Sequence, residues 1–223
     1  MTAPRLILAT DLDGTFLGGS EAQRRRLYRE ISSRPDALLV FVTGRDLDFI
    51  RALIAEPGMP RPHYIIGDVG TTVVDGSDFA PVSPVQDEIA RRWNGAGRRV
   101  IDMLADEPGL RLQPTPFRYR VDCLLSAETF LDVLPRGVAK GPTLLRLLET
   151  LGLPADRVLV AGDTLNDLSL FATGLKGVAV GNSEPKLIDA IAGYDWVFRS
   201  AQPGAAGISE ALGHFGLEGT ASP

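Results

Sequence analysis

The chain alternates between short, continuously apolar runs and longer stretches of mixed polarity. The first apolar runs occupy residues 5–9, 37–42 and 63–66. A continuously apolar run of strand length is typical of a β-strand buried on both faces, as in a parallel sheet. Polar loops and helical stretches separate these runs. Three strand–loop–helix units in succession predict a parallel α/β sheet with right-handed crossovers.

The connecting segments carry cap and turn signals that set their predicted bounds. We expect a charged surface helix over residues 21–33, capped by Ser20, and a second helix over residues 46–55. Residues 73–74 and 79–82 flank an Asp-Gly turn, which predicts a β-hairpin after the third strand.

The middle of the chain departs from this rhythm. Residues 84–105 predict one helix, and three short strand-like runs follow it. A helix with antiparallel strands favours a small separate α+β lobe. We therefore predict one α/β domain of residues 1–82 and 136–223, interrupted by an inserted lobe of residues 83–135. The strands of the lobe are expected at 110–113, 118–125 and 130–134; the returning domain has strands at 157–161, 177–180 and 195–198, with helices at 141–151, 168–173, from Pro185 and at 204–214.

Polar clusters follow the predicted strands of the domain. Asp11 and Asp13 follow the first strand, Thr43 the second and residues 67–72 the third; a fourth cluster comes after residue 161. The carboxyl ends of parallel strands meet at one edge of a sheet, and ligands bind at that edge. The fourth cluster contains Asp163, Asn166 and Asp167, and Lys140 precedes it at a helix start.

This set of side chains suits a metal ion and a phosphate group. Two acids as close as Asp11 and Asp13 repel each other unless a cation lies beside them, and carboxylate oxygens are the ligands that Mg²⁺ prefers. A lysine and a hydroxyl group, such as Lys140 and Thr43, bind phosphate oxygens. Each residue alone also has an ordinary explanation, because Thr43 suits a helix cap and Lys140 a solvated helix start.

Composition and charge exclude several other classes of protein. The 223 residues carry a net charge of −5 with no long basic run, which argues against a nucleic-acid partner. No apolar stretch reaches the roughly 20 residues of a membrane helix, and no leader segment is visible. Cys123 is the only cysteine, so we expect no internal disulfide and a cytoplasmic location. We also expect a monomer or weak homodimer.

The four clusters, in this order, resemble the motifs of the haloacid dehalogenase-like (HAD) phosphatases. These motifs correspond to residues 11–15, to Thr43, to Lys140 and to residues 162–167. The resemblance implies a Rossmann-like α/β core with a parallel sheet and helices on both faces, plus a small inserted α+β cap. It also implies that the protein is an enzyme, a phosphoric monoester hydrolase that uses Mg²⁺.

The resemblance further implies a role for each matched residue. Asp11 would be the nucleophile that forms an aspartyl-phosphate, and Asp13 would protonate the leaving oxygen and then activate water. The metal would be held by Asp11, the backbone carbonyl of Asp13, Asp163 and Asp167. The phosphoryl group would contact Thr43, Gly44, Lys140 and Asn166.

The position of the lobe, between residues 72 and 140, is that of a type-2 cap. The runs at residues 41–45, 68–71, 134–141 and 177–182 resemble sucrose-phosphate phosphatases and mannosylfructose-phosphate phosphatase-like proteins. This resemblance implies that the substrate is a small-molecule glycosyl-sugar phosphate such as sucrose 6-phosphate. The cap is shorter than such caps usually are, and the missing part falls after Cys123.

Substrate selection is expected from the cap and from residues that face it. The candidates are Arg45, Asp68, Arg118 and Arg120, and the last two have the same parity on one predicted strand. Two alternatives to the phosphatase stay open. One is a sugar phosphomutase of the same superfamily, and the other is a binding domain that keeps a sugar phosphate without turning it over.

Overall fold

The computed structural model describes residues 4–107, 110–112, 118–121 and 129–219, with the backbone alone at 110–112, 118–121 and 129–131. Its strands form a seven-stranded sheet and a three-stranded sheet. The strands are β1 (Leu6–Thr10), β2 (Ala37–Val42), β3 (Tyr64–Gly67), β4 (Thr72–Asp75), β5 (Leu110–Leu112), β6 (Arg118–Val121), β7 (Thr129–Asp132), β8 (Val158–Gly162), β9 (Lys176–Ala179) and β10 (Val197–Arg199).

Eight α-helices accompany these strands in the described ranges. They are α1 (Glu21–Ser32), α2 (Leu47–Ile54), α3 (Val85–Trp93), α4 (Ala96–Leu104), α5 (Lys140–Thr150), α6 (Leu168–Phe171), α7 (Pro185–Ala190) and α8 (Gly204–His214). Helix α1 begins as predicted, because Ser20 and Gln23 form a reciprocal capping box. None of the helices in the described residues has the length and apolar character needed to cross a membrane.

The large sheet has the order β10-β9-β8-β1-β2-β3-β4, and every neighbouring pair is parallel except β3–β4. Successive side chains of a strand point to opposite faces, and β1 shows why its sequence is continuously apolar. Leu6 and Leu8 pack in the core layer shared with α1 and α8, whereas Ile7 and Ala9 pack in the layer shared with α5 and α6. The predicted α/β fold, with helices on both faces of a largely parallel sheet, is confirmed.

The predicted hairpin after the third strand is confirmed. Val74 forms an antiparallel bridge with Pro81, and the amides of Asp75 and Val82 donate to the carbonyls of Ala80 and Val73. Strand β4 also pairs antiparallel with β3, which the sequence pattern did not predict, and it is the last named strand at this edge of the large sheet.

The single helix predicted over residues 84–105 is wrong. Asn94 and Gly95 take left-handed backbone angles, with φ of 44° and 66°, and divide the segment into α3 and α4. Asparagine and glycine are the residues that adopt this conformation most readily. Helix α3 buries Val85 and Ile89 in the core layer of the large sheet.

The small sheet has the order β5-β6-β7 with antiparallel pairing, as the strand pattern of the lobe predicted. It lies in the chain between β4 and α5, which is the predicted place of the inserted cap. The division into residues 1–82 with 136–223 and residues 83–135 stays a prediction. Cys123 and the rest of residues 122–128 lie outside the described residues.

Candidate active site

Asp11 and Asp13 lie at the carboxyl end of the central strand β1, on a tight turn formed by residues 12–16. The backbone N–H of Asp11 donates to the carbonyl of Ala161 at the end of β8, which fixes the turn to the neighbouring strand. The turn has non-helical angles at Asp13 and a φ of 76° at Gly14. As a result, Asp11 is buried and Asp13 is exposed.

Lys140, the first residue of α5, is completely buried among oxygen atoms of the site. Its Nζ donates to Asp11 Oδ1 at 2.7 Å, to Asn166 Oδ1 at 2.8 Å and to Asp167 Oδ1 at 2.6 Å. An ammonium group has three N–H donors, so these contacts use its full capacity. Burial lowers the pKa of Lys140, but the neighbouring Asp167 and Asp11 carboxylates outweigh burial and raise that pKa above its ordinary value. The Lys140 ammonium therefore connects Asp11, at the end of β1, with Asn166 and Asp167, which follow β8.

The loop after β3 holds the start of α5 in place. A Cβ atom on Gly70 would lie 2.5 Å from the carbonyl carbon of Ala139 and 2.8 Å from the amide nitrogen of Lys140. The hydroxyl of Thr143 donates to the Gly70 carbonyl at 2.8 Å. The backbones can approach this closely because residue 70 has no side chain, and the approach sets the position of the Lys140 ammonium.

Asp11, Asp163 and Asp167 bring carboxylate oxygens within 4.8 Å of one another, and all three residues are buried. Burial, together with the charge of Asp167, raises the pKa of Asp11 to about 8, against the opposing effect of Lys140. Burial likewise raises the pKa of Asp163 to about 6. Both shifts show that a further positive charge would stabilise the ionised cluster.

The cluster fits a divalent cation. Three carboxylates and one ammonium leave two uncompensated negative charges when all are ionised. Oxygen ligands in this arrangement suit a hard ion such as Mg²⁺. Both carboxylate oxygens of Asp167 are held in place. Its Oδ1 accepts from Lys140, and its Oδ2 accepts from the amides of Asp163 at 3.0 Å and Thr164 at 3.1 Å.

Arg45 forms an ion pair with Asp13 in the structure. Its Nε donates to Asp13 Oδ2 at 2.7 Å and a terminal nitrogen donates to Asp13 Oδ1 at 2.9 Å. The guanidinium also lies over the ring of Phe49, 4.5 Å from its centroid. A two-pronged contact of this kind fixes the plane of the carboxylate. Arg45, which we expected to contact substrate, thus holds the expected acid–base residue.

Thr43 and Asp68 lie at the same edge of the large sheet, with different surroundings. Thr43 is buried at the end of β2, and its hydroxyl accepts from the amide of Arg45 at 3.1 Å, with Gly44 between them. Asp68 follows β3, and its Oδ2 accepts from the Thr72 hydroxyl at 2.7 Å. Arg118 and Arg120 occupy alternate positions of β6, whereas their side chains lie outside the described part of the chain.

Two residues that were not assigned a role in the sequence complete the site. The Thr15 hydroxyl donates to Asp163 Oδ1 at 2.9 Å. The Asn182 amide donates to the Gly14 carbonyl at 3.1 Å and to Asp163 Oδ2 at 3.2 Å. Asn182 follows β9. Its place after the end of a fifth strand was the signal by which the sequence could have pointed to it as a site residue.

Comparison with known proteins agrees with this geometry. The model of the family described as sucrose-6F-phosphate phosphohydrolase matches residues 4–119 and 115–216. A mannosylfructose-phosphate phosphatase from Agrobacterium fabrum is 33% identical, over 96% of this chain and 98% of its own length. A glucosylglycerol-phosphate synthase from Pseudomonas anguilliseptica is 41% identical over 96% of this chain, but the match spans only 31% of the synthase.

A solved structure confirms the fold. The sucrose-phosphatase from Synechocystis sp. PCC6803, in complex with sucrose and phosphate, superposes with a TM-score of 0.84 at 24% identity, covering 96% of this chain and 98% of that one. At this identity the likeness concerns the fold, while the family assignment rests on the sequence matches. The chain belongs to the sucrose-6F-phosphate phosphohydrolase family of HAD phosphatases.

Proposed function

We propose that this chain is a Mg²⁺-dependent phosphatase that hydrolyses a glycosyl-sugar phosphate, such as sucrose 6-phosphate, through an aspartyl-phosphate on Asp11. The observation that carries the proposal is the buried cluster of Asp11, Asp163 and Asp167 around Lys140. Membership of the family supports a sugar phosphate as substrate. The names of two relatives, a mannosylfructose-phosphate phosphatase and a glucosylglycerol-phosphate synthase, add a mannosylfructose phosphate and a glucosylglycerol phosphate to the candidate substrates.

In the first half-reaction, Asp11 attacks the phosphorus atom. Lys140 holds Oδ1 of Asp11, so the attack falls to Oδ2. A bond forms between that oxygen and phosphorus while the bond from phosphorus to the sugar oxygen breaks. Asp13 gives its proton to the departing sugar oxygen. Both Asp13 oxygens accept from Arg45 in the structure, so this ion pair must open before Asp13 can carry that proton.

In the second half-reaction, Asp13 takes a proton from a water molecule, whose oxygen attacks the phosphorus atom and releases Asp11 with inorganic phosphate. Thr43, Gly44 and Asn166 bind the phosphoryl oxygens and hold them in line. Lys140, whose three donors are occupied in the structure, gives up one of those contacts to bind a phosphoryl oxygen as well. Asp163, Asp167, Asp11 and the Asp13 carbonyl would hold Mg²⁺. When bound there, the ion would supply positive charge that offsets the negative charge of the transferring phosphoryl group.

Mg²⁺ should stabilise the folded protein through the three buried acids. A ligand that binds only the folded state adds about 2.7 kcal/mol of stability at 100 times its dissociation constant. We expect thermal unfolding to shift upward on addition of Mg²⁺ and to return on addition of a chelator. Asp163→Asn should lose most of the shift, whereas Asp156→Asn, at the opposite end of β8, should keep it. An equal shift in both variants would contradict the assigned ligands.

Gly14→Ala should damage the metal site through Asp163. A Cβ at residue 14 would lie 2.1 Å from Asp163 Oδ2, and the φ of 76° disfavours any other side chain. Displacing a group that orients a ligand typically costs 10- to 100-fold in metal affinity or activity. Gly152→Ala is the matched control, because φ there is 62° with nothing within 4 Å of the added Cβ. Both should lose about 1–3 kcal/mol of stability, but Gly14→Ala alone should need more Mg²⁺ for phosphate release.

The direct test of the proposed function is phosphate release with Mg²⁺ across a substrate panel. The panel contains sucrose 6-phosphate, mannosylfructose phosphate, glucosylglycerol phosphate, trehalose 6-phosphate, hexose phosphates and phosphoglycolate. Preference for one glycosylated phosphate is the expected result. Absence of release from every member, with the fold intact, would overturn the proposal.

A second candidate is a binding domain without turnover. The observation that favours it is the 41% match to one part of a synthase, while the presence of Asp11, Asp13 and Lys140 favours catalysis. Tight binding of a sugar phosphate without phosphate release would identify such a domain. A phosphomutase would give an isomerised sugar phosphate in place of free phosphate. A cytoplasmic location and a monomeric or weakly dimeric state stay predictions.

A further inference from the structure

The loop that follows β9 lies against the loop that follows β8, which carries two of the proposed metal ligands. The first consists of residues 180–184 and the second of residues 163–167. Asn182 supports the Asp163 carboxylate through its side-chain amide. Glu184 contacts the same loop through two hydrogen bonds to its backbone, so the two loops are joined by more than the Asn182 contact.

The two hydrogen bonds of Glu184 run in opposite directions. Its backbone amide donates to the carbonyl of Asp163 at 2.8 Å. The amide of Leu165 donates in return to Glu184 Oε2 at 3.0 Å. The amides of Asp163 and Thr164 donate within their own loop, to Asp167. Glu184 therefore holds the metal-binding loop from outside at two points, one on each side of Thr164.

The backbone of Glu184 is itself fixed. A residue that precedes a proline is restricted to extended conformations, and Glu184, before Pro185, has φ of −59° and ψ of 137°. Its carbonyl accepts from the amides of Leu187 at 3.0 Å and Ile188 at 3.1 Å, at the start of α7. Leu187 is fully buried in the core layer. The carboxylate of Glu184 thus reaches Leu165 from a position that is anchored to the core.

The place of the Leu165 backbone affects both neighbours that the site uses. Asp163 precedes it by two positions, and Asn166 follows it directly. Asn166 Oδ1 accepts from Lys140 Nζ at 2.8 Å and from the Thr164 hydroxyl at 3.0 Å. The Leu165 side chain is 44% exposed, so its packing anchors the loop only weakly. The hydrogen bond from its amide to Glu184 supplies an anchor at this point.

Glu184 also brings a negative charge to the site. Burial is the main cause of the raised pKa of Asp163, and the charges of Asp167 and Glu184 contribute to it. A cation bound by Asp163 would interact with the same charge. Glu184 is exposed, however, and solvent and salt screen the charge of an exposed group. The geometry therefore favours the hydrogen bond over the charge as the means by which Glu184 acts.

We propose that Glu184 is a positioning residue of the metal site, which holds the loop of residues 163–167 so that Asp163 can bind Mg²⁺ and Asn166 can contact the phosphoryl group. The inference rests on the proposed phosphatase function and adds a residue that lies outside the four motifs. Residues that orient a metal ligand contribute about 10- to 100-fold to metal affinity.

Two substitutions separate the hydrogen bond from the charge. Glu184→Gln removes the charge, but its amide oxygen can still accept from Leu165. Glu184→Asp keeps the charge, but its side chain is one methylene shorter. Aspartate directly before a helix also tends to cap the first turn of that helix, here α7, which turns its carboxylate away from Leu165.

The measured quantity is the dissociation constant of Mg²⁺, from isothermal titration calorimetry of the full chain without substrate. We expect it to rise about tenfold in Glu184→Asp. In Glu184→Gln it should change by less than about threefold, because an exposed charge adds little. The control is Glu149→Asp, the same change at an exposed position in the last turn of α5, at the end of that helix away from Lys140. It should keep the dissociation constant of the parent.

Stability and turnover show whether the role is more than structural. Because aspartate is a preferred capping residue, Glu184→Asp should unfold at the same urea concentration as the parent or at a higher one. Its kcat should fall at low Mg²⁺ and recover at high Mg²⁺, since Asp11 and Asp13 lie on a different loop. A purely structural role would instead lower the urea midpoint and leave the dissociation constant of Mg²⁺ unchanged.

The outcomes distinguish this inference from the proposed function. If the parent binds Mg²⁺ and releases phosphate, but Glu184→Asp binds Mg²⁺ as tightly, the positioning role is refuted and the phosphatase stands. A loss of affinity in Glu184→Gln as large as that in Glu184→Asp would likewise overturn the role of the hydrogen bond. If the parent binds no Mg²⁺ and releases no phosphate from the substrate panel, the proposed function fails, and this inference with it.

Discussion

Asp11→Asn should abolish phosphate release, with a fall in kcat of at least about 10⁴-fold, as is usual when a covalent nucleophile is removed. The amide cannot form the acyl-phosphate, but it has nearly the same shape as the carboxylate. Its oxygen can still accept a hydrogen bond from Lys140, and Lys140 also keeps its hydrogen bonds to Asp167 and Asn166. The fold should therefore be retained, and the loss should be one of chemistry.

The measurement is phosphate release together with trapping of labelled phosphate on acid-quenched protein. The parent should carry label on Asp11, and the variant should carry none. Asp156→Asn is the control, because it makes the same change at an exposed position before β8, at the end of the strand away from the site. Full activity in Asp11→Asn, or label that persists in it, would rule out Asp11 as the nucleophile.

Lys140→Met should reduce both stability and activity. The ammonium is fully buried and shared by Asp11 and Asp167, so its loss leaves two carboxylates buried without their cation. Breaking a buried ion pair by removing one partner costs about 3–5 kcal/mol. Loss of a group that stabilises developing charge lowers kcat by about 10²- to 10³-fold. Urea unfolding and phosphate release give the two quantities.

A double variant separates the two effects of Lys140. In Lys140→Met with Asp11→Asn, one of the stranded charges is removed, so part of the lost stability should return while activity stays absent. Lys186→Met, at an exposed position of α7, should change stability by less than about 0.5 kcal/mol. If Lys140→Met and Lys186→Met changed the free energy of unfolding by the same small amount, the buried lysine would not be what stabilises the cluster of carboxylates.

The sequence located the strand ends well because each depends on local signals. Apolar runs placed β1, β2, β3 and β8 to within one or two residues, and Ser20 capped α1 as expected. The corner at Asn94-Gly95 was missed because glycine is tolerated inside a helix pattern, so the pattern alone did not show that both residues take left-handed backbone angles. The Asp-Gly turn correctly indicated the hairpin of residues 73–82, but the pairing of β4 with β3 was missed because no local signal marks a strand's second neighbour.

The sequence by itself determined the family, the order of the elements and the acids at one edge of the sheet. Parallel topology makes this possible, because strand polarity alone brings Asp11, Thr43 and Asp163 to the same edge. Only the tertiary structure decided which groups contact each other. Lys140 reaches a carboxylate 129 positions away, and Asn182 reaches the Gly14 carbonyl 168 positions away. Contacts over such separations depend on how α5 and the loops pack against the sheet, and no local pattern of the chain encodes that packing.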